Sequence, residues 1–245
     1  MNADQPWRTV QLGGLSWHVR STALEQVKPV CANVEQAIAA APRFYKNSRN
    51  VTVASVPGSP PLVVRRMNYG TFRHRFKDFF RPSRARRAFF RGLHLEQAGI
   101  PTPRMLAVAE QRRFRWPLRA WLISDQVPAA QTLVAWLRRR GENSHPVLER
   151  LAAVIARMHE HGFTHRDLKP SNILLDANLN PWLIDMDGVQ FVGKVSLEQT
   201  ARDLSVLAAL LKKSPQLRPA ALRFLLNYCK HRGLTSERRQ IASLL

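Results

Sequence analysis

The sequence is short of acidic residues and of cysteine, and it has no long apolar run. Only 17 of its 245 residues are Asp or Glu, against 38 that are Lys or Arg, so its formal net charge is +21. The two cysteines, Cys31 and Cys229, are too few for a disulfide scaffold or a cysteine-based zinc site. The longest apolar stretches, such as residues 204–211, fall far short of the roughly 20 residues that span a bilayer. The sequence therefore predicts that any contact with a membrane is peripheral.

The start of the chain lacks a targeting pattern. Residues 1–7 contain no basic region followed by an apolar stretch, so we expect no secretory signal. Together with the low cysteine content, which fits a reducing compartment, this predicts a protein that stays inside the cell. A composition of 45% hydrophobic and 22% charged residues lies in the ordinary globular range and excludes wholesale disorder.

The positive charge is concentrated in one part of the chain. From Arg65 to Arg91 there are ten Lys or Arg residues and one acid, Asp78. A solvated protein face normally mixes both signs, so this stretch favours binding to an anionic partner. Charge alone does not choose among nucleic acid, acidic lipid headgroups and a phosphorylated substrate. We find no recognition-helix, OB or RRM signature, which makes nucleic acid the least favoured of the three.

The hydrophobic pattern predicts strands in the first half and helices in the second. Residues 51–56 and 62–64 are β-branched runs around a Pro- and Gly-rich turn and predict a hairpin. A helix is expected from Pro82-Ser83 to Gln97, followed by a buried strand at residues 120–124. Further along the chain the pattern predicts two helices and then a second hairpin, at residues 133–140, 147–161, 173–175 and 182–184. Because Pro128-Ala129-Ala130 separates the two patterns, we expect two lobes, residues 1–125 with a sheet and one helix, and residues 126–245 mainly helical.

The most informative motif follows the second long helix. His165-Arg166-Asp167-Leu168-Lys169-Pro170-Ser171-Asn172 matches the H-R-D-x-x-x-x-N catalytic loop of protein kinases. A hairpin then leads to Asp185, as the same pattern requires. The motif predicts an α+β, bilobal, protein-kinase-like fold with a small β-rich N-terminal lobe and a compact helical C-terminal lobe.

The residue types in this motif suit phosphoryl transfer, which depends on positioning and on cations that neutralise the migrating charge. We predict that Asp167 accepts the proton of the attacking hydroxyl and that Lys169 reaches the γ-phosphate of ATP. Asn172 and Asp185 offer hard oxygen ligands for Mg²⁺. Asp187 is either a second metal ligand or a turn residue before Gly188, and the pattern favours neither.

The stretches 162–175 and 183–189 resemble the lipopolysaccharide kinases of Gram-negative bacteria. The arginine-rich residues 80–87, the Gly-Ile-Pro-Thr-Pro at 99–103 and the Ala-Arg-Asp-Leu at 201–204 are also similar to that family's pattern. The resemblance implies an ATP- and Mg²⁺-dependent phosphotransferase acting on a heptose or Kdo hydroxyl of the lipopolysaccharide inner core. It also implies an anionic glycolipid substrate and a cytoplasmic protein in peripheral contact with the inner face of the cytoplasmic membrane.

The nucleotide-binding residues that the resemblance implies depart from the usual kinase pattern. Arg65 stands where a kinase strand ends in Lys, and Ala88 stands near the position of the Glu that pairs with that Lys. The loop that would cover the phosphates, residues 46–50, contains no glycine, so Lys46 and Arg49 are predicted to supply side-chain charge there. We also assign Asp125 and Val127, at the junction of the predicted lobes, to nucleotide binding.

Two other functions compete with this hypothesis. The catalytic loop also fits Ser/Thr protein kinases, but no Ala-Pro-Glu triplet follows Asp185 and few residues remain for peptide-binding helices. The departures at Arg65, Ala88 and residues 46–50 favour instead a catalytically weak kinase-like scaffold or nucleic-acid-binding protein. The retention of Asp167, Lys169, Asn172 and Asp185 favours an enzyme.

Overall fold

The structure is a computed structural model that describes residues 6–70, 76, 78–140, 145–213 and 218–244. The chain divides into two compact units. The first comprises Met1–Leu93 and Pro103–Gln126, and the second comprises His94–Thr102 and Val127–Leu245. Within the described residues, no helix combines the length and the apolar character needed to cross a bilayer.

The first unit contains a seven-stranded antiparallel sheet with the strand order β1-β2-β6-β7-β5-β4-β3. Its strands are β1 (Trp7–Leu12), β2 (Leu15–Arg20), β3 (Arg43–Asn47), β4 (Val51–Val56), β5 (Leu62–Asn68), β6 (Met105–Arg113) and β7 (Trp116–Asp125). The predicted first hairpin is confirmed as β4 and β5, which pair from Val51 with Met67 to Val56 with Leu62. The predicted strand at residues 120–124 is confirmed as part of β7.

Two helices that the sequence analysis did not predict cover one face of this sheet. They are α1 (Leu24–Ala32) and α2 (Val34–Ala39). Pro29 inside α1 and the length of α2, only 6 residues, weaken the helix signal, although the buried Val27, Val30 and Cys31 of α1 lie at helical spacing. The first unit therefore has more than the single helix expected for residues 1–125.

The core of the first unit lies between these helices and the sheet. Val27 of α1 and Ile38 of α2 belong to one buried cluster with Val64 and Ile123 of the strands. Full burial of an aliphatic side chain of this size stabilises a fold by about 1.5–3 kcal/mol. Because side chains alternate along a strand, Leu62 and Val64 face α1 and α2, whereas Arg65 lies on the opposite face of β5.

The predicted helix after the first hairpin is confirmed as α3 (Arg84–Gln97). The hydroxyl of Ser83 accepts a hydrogen bond from the backbone N–H of Arg86 at 3.1 Å, which caps the first turn. The helix ends at Gln97, and Gly99 follows with a φ of +65° that suits a residue without a side chain. The N–H of Ile100 then donates to the oxygen of Leu95 at 2.9 Å.

The second unit is rich in helices. They are α4 (Leu133–Arg140), α5 (His145–Glu160), α6 (Leu197–Lys213), α7 (Arg218–His231) and α8 (Arg238–Leu244). The first two confirm the helices predicted at residues 133–140 and 147–161. Helix α5 packs against α7 and buries Leu148, Leu151 and Ile155. A strand-rich first unit and a helix-rich second unit confirm the predicted α+β class.

Five short strands complete the second unit: β8 (Gln131–Thr132), β9 (Phe163–His165), β10 (Ile173–Leu175), β11 (Pro181–Leu183) and β12 (Val189–Phe191). The second predicted hairpin is confirmed as β10 and β11, which pair from Ile173 with Leu183 to Leu175 with Pro181. Its turn is held by Asp176, whose Oδ1 accepts the backbone N–H groups of Asn178 and Asn180, each at 2.9 Å. These hydrogen bonds lower the pKa of Asp176, although burial opposes them.

Candidate active site

The predicted catalytic loop connects β9 to β10 in the second unit. Strand β9 pairs with β12, and His165 lies opposite Val189. The N–H of Arg166 donates to the oxygen of Gly188 at 3.2 Å, and the N–H of Ile184 donates to the oxygen of Asn172 at 2.9 Å. These bonds tie the loop to the segment that carries Asp185, so the two parts of the motif lie side by side.

His165 is a supporting residue of this loop. Its side chain is fully buried, and its Nε2 lies 3.1 Å from the backbone oxygen of Ile184, to which it donates. Its Nδ1 then accepts the backbone N–H of Asp167 at 3.4 Å. A Cβ at Gly188 would lie 3.1 Å from this Nδ1 and 3.2 Å from the backbone nitrogen of Asp167, so the close approach favours glycine at position 188.

Three of the predicted site residues meet at one carboxylate oxygen. The Nζ of Lys169 lies 2.7 Å from Oδ2 of Asp167, and the Nδ2 of Asn172 lies 3.0 Å from the same oxygen. The side chains of Lys169 and Asp167 are about half exposed, at 43% and 49%. Among the described residues no donor contacts Oδ1 of Asp167. One oxygen of this carboxylate is therefore fixed by two donors, and the other can accept a proton.

The orientation of the Asn172 amide follows from its partners. Its Nδ2 also donates to the backbone oxygen of Asp167 at 2.9 Å, and both partners of Nδ2 are acceptors. The amide oxygen Oδ1 of the buried Asn172 consequently remains for another ligand. Asp185 lies just beyond β11 in a left-handed conformation, with φ 65° and ψ 63°, which Asp adopts more readily than most residues.

The donor set of Asn172 and Asp185 fits Mg²⁺. Both offer hard oxygen atoms, and Mg²⁺ is commonly held by one or two carboxylates together with substrate phosphates and water. No group of three or more His, Cys, Asp or Glu residues in the described part of the chain could hold a metal ion. Two oxygen ligands of this kind suit a metal that arrives with a phosphorylated substrate. Asp187 lies in the adjoining turn, Met186–Gly188.

A buried carboxylate that the sequence analysis left without a role is hydrogen-bonded to the start of the catalytic loop. Oδ2 of Asp203, in α6, accepts the backbone N–H of His165 at 2.5 Å and lies 3.2 Å from Nε2 of His159. Nδ1 of His159 lies 2.7 Å from the hydroxyl of Tyr228. Because a carboxylate only accepts, neutral His159 donates from Nε2 and accepts the Tyr228 hydroxyl at Nδ1.

Burial lowers the pKa of His159, although the hydrogen bond to Asp203 opposes that effect. The neutral imidazole therefore completes a chain of hydrogen bonds from α7 to the catalytic loop. The available sequence signal was the Ala-Arg-Asp-Leu stretch at 201–204, where an acid lies between the apolar Ala201 and Leu204.

The predicted phosphate-contacting residues lie on β3, on β5 and in the turn between β3 and β4 of the first unit. Lys46 of β3 pairs with Val53 of β4, and Val53 pairs with Arg65 of β5. Directly opposed residues in antiparallel strands point to the same face of a sheet, so Lys46 and Arg65 share the face opposite α1 and α2. Arg49 lies in the turn between β3 and β4, and its backbone oxygen accepts the Asn68 side chain at 2.8 Å.

The remaining predicted nucleotide-binding residues have different surroundings. The carboxylate of Asp125, at the end of β7, lies 3.5 Å from Nε of Arg104 and 3.4 Å from Nε2 of Gln26. Val127 is buried. Ala88, where the kinase pattern has an acidic partner, is fully buried in α3. Nucleotide binding by Asp125 and Val127 stays a prediction.

Comparison with known proteins identifies the family. The model of the lipopolysaccharide kinase (Kdo/WaaP) family matches residues 51–221. The chain belongs to this family. The predicted resemblance is therefore confirmed, and the family is one of kinases, as the motif indicated. Of the predicted site residues, Lys46 and Arg49 lie outside the matched residues.

The curated relatives carry a more specific name. The 3-deoxy-D-manno-octulosonic acid kinase of Vibrio vulnificus strain YJ016 is 32% identical over 159 residues, which are 58% of this chain and 66% of that protein. The protein of the same name from Xylella fastidiosa strain M12 is 33% identical over 89 residues, 36% of this chain and 34% of the relative. The chain thus spans less than two thirds of the length of these relatives.

Two solved structures share the fold. WaaP, solved in complex with acyl carrier protein, superposes with a TM-score of 0.60 at 20% identity and covers 86% of this chain and 87% of its own. WbdD superposes with a TM-score of 0.51 at 17% identity and covers 82% of this chain and 49% of its own. The likeness to WaaP supports the predicted fold class.

Proposed function

We propose that this protein is an ATP- and Mg²⁺-dependent kinase that phosphorylates a sugar hydroxyl of the lipopolysaccharide inner core. The observation that carries the proposal is the convergence of Lys169 and Asn172 on one oxygen of Asp167, beside the segment that carries Asp185. Membership of the family supports the substrate class. We favour 3-deoxy-D-manno-octulosonic acid (Kdo) over heptose as the acceptor sugar because the curated relatives are named for it.

Asp167 is the general base in this proposal. As the sugar oxygen bonds to the γ-phosphorus, the bond from that phosphorus to the β–γ bridging oxygen breaks, ADP leaves, and the hydroxyl proton passes to Oδ1 of Asp167. Oδ1 suits this role because the donors from Lys169 and Asn172 both occupy Oδ2. A positioned base of this kind contributes typically about 10²–10⁴-fold to the rate.

Lys169 and the metal-binding pair provide the positive charge. Lys169 is half exposed, so its ammonium group can turn from Asp167 toward a transferring phosphate. Oδ1 of Asn172 and the carboxylate of Asp185 would hold Mg²⁺, which when bound neutralises the charge on the phosphates. On the first unit, Lys46, Arg49 and Arg65 would hold the phosphates by side-chain charge. Arg65 keeps the positive charge of the usual Lys but offers a planar fork of donors.

We further propose that the protein works at the cytoplasmic face of the inner membrane. Contact with a membrane surface is supported by what we call the aromatic surface, namely Phe76, Phe80 and Phe114, whose exposed fractions are 56%, 73% and 91%. Phe114 lies at the tip of the turn between β6 and β7 with a φ of +55°. A set of exposed phenylalanines flanked by arginine suits the interface of an anionic bilayer.

Specific contacts hold the aromatic surface together. The guanidinium of Arg115 lies over the rings of Phe79 and Phe80, at 5.5 and 5.9 Å from their centroids. The guanidinium of Arg112 donates to the backbone oxygens of Asp78 and Arg81, each at 3.0 Å. These contacts join the turn after β6 to residues 78–81, which precede α3.

A transfer assay with a panel of acceptors tests the proposed activity. The purified protein is incubated with γ-labelled ATP, Mg²⁺ and one of three acceptors: Kdo-containing lipid A, heptose-containing core or a Ser/Thr peptide library. Duplex nucleic acid serves as a control for binding. We expect one phosphate on the Kdo-containing lipid, located by mass spectrometry. Transfer to peptides would favour a protein kinase, and tight salt-dependent nucleic-acid binding without transfer would favour a kinase-like scaffold.

A further inference from the structure

Two adjoining cavities, both open to solvent, lie in the first unit near the end of β5. The larger has a volume of about 260 Å³ and the smaller about 120 Å³. They share Asn68 and Tyr69 in their linings. The smaller is also lined by three arginines of the segment around the start of α3, Arg81, Arg84 and Arg87, and the larger by Arg66 and Arg119. Each is larger than the roughly 10–15 Å³ that one water needs.

The linings of these cavities are rich in arginine. Two carboxylates, Asp78 and Glu35, contact four of the five arginines. Asp78 is 3% exposed, and its Oδ1 lies 2.7 Å from Nη1 of Arg87 and 3.3 Å from Nε of Arg81. Glu35 similarly contacts Arg66 at 2.5 Å and Arg119 at 3.8 Å. These contacts restrain the side chains of Arg66, Arg81, Arg87 and Arg119 beside the cavities.

The hydroxyl of Tyr69 connects Asp78 to the start of α3. It donates to Oδ2 of Asp78 at 3.0 Å and accepts the backbone N–H of Arg84 at 2.9 Å. Its pKa is raised, first by burial and also by the nearby Asp78 carboxylate, so it stays protonated and keeps this bridge at neutral pH. The first turn of this 14-residue helix, which carries a partial positive charge, therefore lies beside the smaller cavity.

We infer that these cavities bind the anionic group of the acceptor, a carboxylate or phosphate carried on the glycolipid, with Arg84 as a principal contact. The inference rests on the proposed function, because it says where the anionic group of the proposed substrate binds. Arginine suits the task, since its planar fork binds two oxygens of a carboxylate or phosphate at once. Asn50 and Asn68, on the same lining, add amide groups that can bond to neighbouring hydroxyls.

The Arg84→Gln variant tests this site against a matched control. Arg84 is exposed on its helix, so the variant is expected to fold, and thermal melting checks this. Arg86→Gln removes the same charge two residues away, at an exposed position outside both cavity linings. We expect Arg84→Gln to raise the KM for the glycolipid about tenfold or more, as for loss of a charge-assisted bond. Its kcat and its KM for ATP should stay within about twofold of wild type, and Arg86→Gln should match wild type.

Direct binding of the acceptor separates this inference from the proposed function. Kdo-containing lipid A in detergent micelles is titrated into wild type, Arg84→Gln and Arg86→Gln without ATP. Further arms use the same lipid with its sugar carboxylate esterified or its phosphates removed. If esterification or removal of the phosphates abolishes the difference in binding between wild type and Arg84→Gln, the site is supported. The modified group is then the anion that the site holds.

Equal binding by Arg84→Gln and Arg86→Gln, or no binding by wild type, overturns the inference. If wild type binds the lipid through Arg84 but transfers no phosphate to it, the proposed activity fails and the site stands. If wild type transfers phosphate and both variants share its KM for the lipid, the activity stands and the site fails.

Discussion

The amide nitrogen Nδ2 of Asn172 lies 3.0 Å from Oδ2 of Asp167 and 2.9 Å from the backbone oxygen of the same residue. One side chain therefore orients the proposed base and, in the function we propose, would also hold Mg²⁺ through its other atom Oδ1 together with Asp185. The two roles predict that changes at Asn172 affect both metal binding and proton transfer, whereas changes at Asp185 act mainly on the metal.

Replacement of either proposed metal ligand should weaken metal–nucleotide binding. We expect Asn172→Ala and Asp185→Ala each to weaken binding of Mn²⁺ with ATP, measured by electron paramagnetic resonance. The loss should be at least the roughly 10–100-fold that removal of an outer-shell partner costs. Asn178→Ala, on the exposed turn of the same hairpin, is the control and should bind as wild type does. Unchanged Mn²⁺ affinity in both ligand variants would rule out the assigned pair.

Loss of the Asp203 charge should destabilise the protein and slow transfer together. In Asp203→Asn the side chain loses its negative charge, so the hydrogen bonds that Oδ2 accepts from the His165 N–H and from His159 are no longer charge-assisted. Loss of hydrogen bonds to a charged buried group costs about 1.5–3 kcal/mol of the free energy of unfolding. Urea denaturation measures this loss, and Glu198→Gln, an exposed acid on the same helix, should change it little. A variant as stable as wild type would contradict the supporting role of Asp203.

His159 should make the stability of the fold depend on pH below neutrality. Its folded-state pKa is lowered from 6.5, so the unfolded chain takes up the proton more readily. The contribution of His159 is therefore complete above the unfolded pKa of 6.5 and is lost as the pH falls from there through the lower folded pKa.

The measurement is the free energy of unfolding of wild type and His159→Gln at several pH values between about 5 and 7.5. As the pH is lowered, we expect the free energy of unfolding of His159→Gln to fall less than that of wild type. His161→Gln, at an exposed position two residues away, should show the wild-type decline. The same decline in wild type and His159→Gln would show that other groups cause it.

The aromatic surface should insert into anionic membranes. Phe80→Ser combined with Phe114→Ser should weaken sedimentation with phosphatidylglycerol vesicles by about tenfold or more, because each buried phenylalanine is worth about 1.5–3 kcal/mol. Phe191→Ser changes a ring that is 69% exposed in the second unit and should bind as wild type does. Added salt should weaken binding further by screening the arginines. Equal vesicle binding by all three proteins would refute membrane docking at this surface.

The sequence predicted the residues of the catalytic loop better than the residues that hold the loop in place. Asp167, Lys169 and Asn172 lie within six consecutive residues, so their convergence follows from local geometry. The role of Asp203 could not be predicted in this way, because its bond to the N–H of His165 joins residues 38 positions apart. Likewise, the shared face of Lys46 and Arg65 depends on a register shift in the pairing of β3 with β4 between Phe44 and Lys46, and no local pattern signals that shift.

For the arginine-rich stretch, too, the sequence predicted the general property and not the role of each residue. Composition indicated an anionic partner for the whole segment from Arg65 to Arg91. It did not tell which arginines line a cavity with Asn50 and Asn68 and which, like Arg86, lie outside it. That distinction depends on the buried Asp78 and on Tyr69, whose contacts form only when β5 and α3 are packed together.

The most direct test of the account compares phosphate transfer by wild type and Asp167→Asn, using the core-sugar acceptor that wild type modifies. Asn keeps the size of Asp167 but accepts no proton, so we predict that kcat falls by about 10²–10⁴-fold while ATP binding and thermal stability stay close to wild type. Transfer by Asp167→Asn at the wild-type rate would contradict the assignment of this site as the catalytic centre.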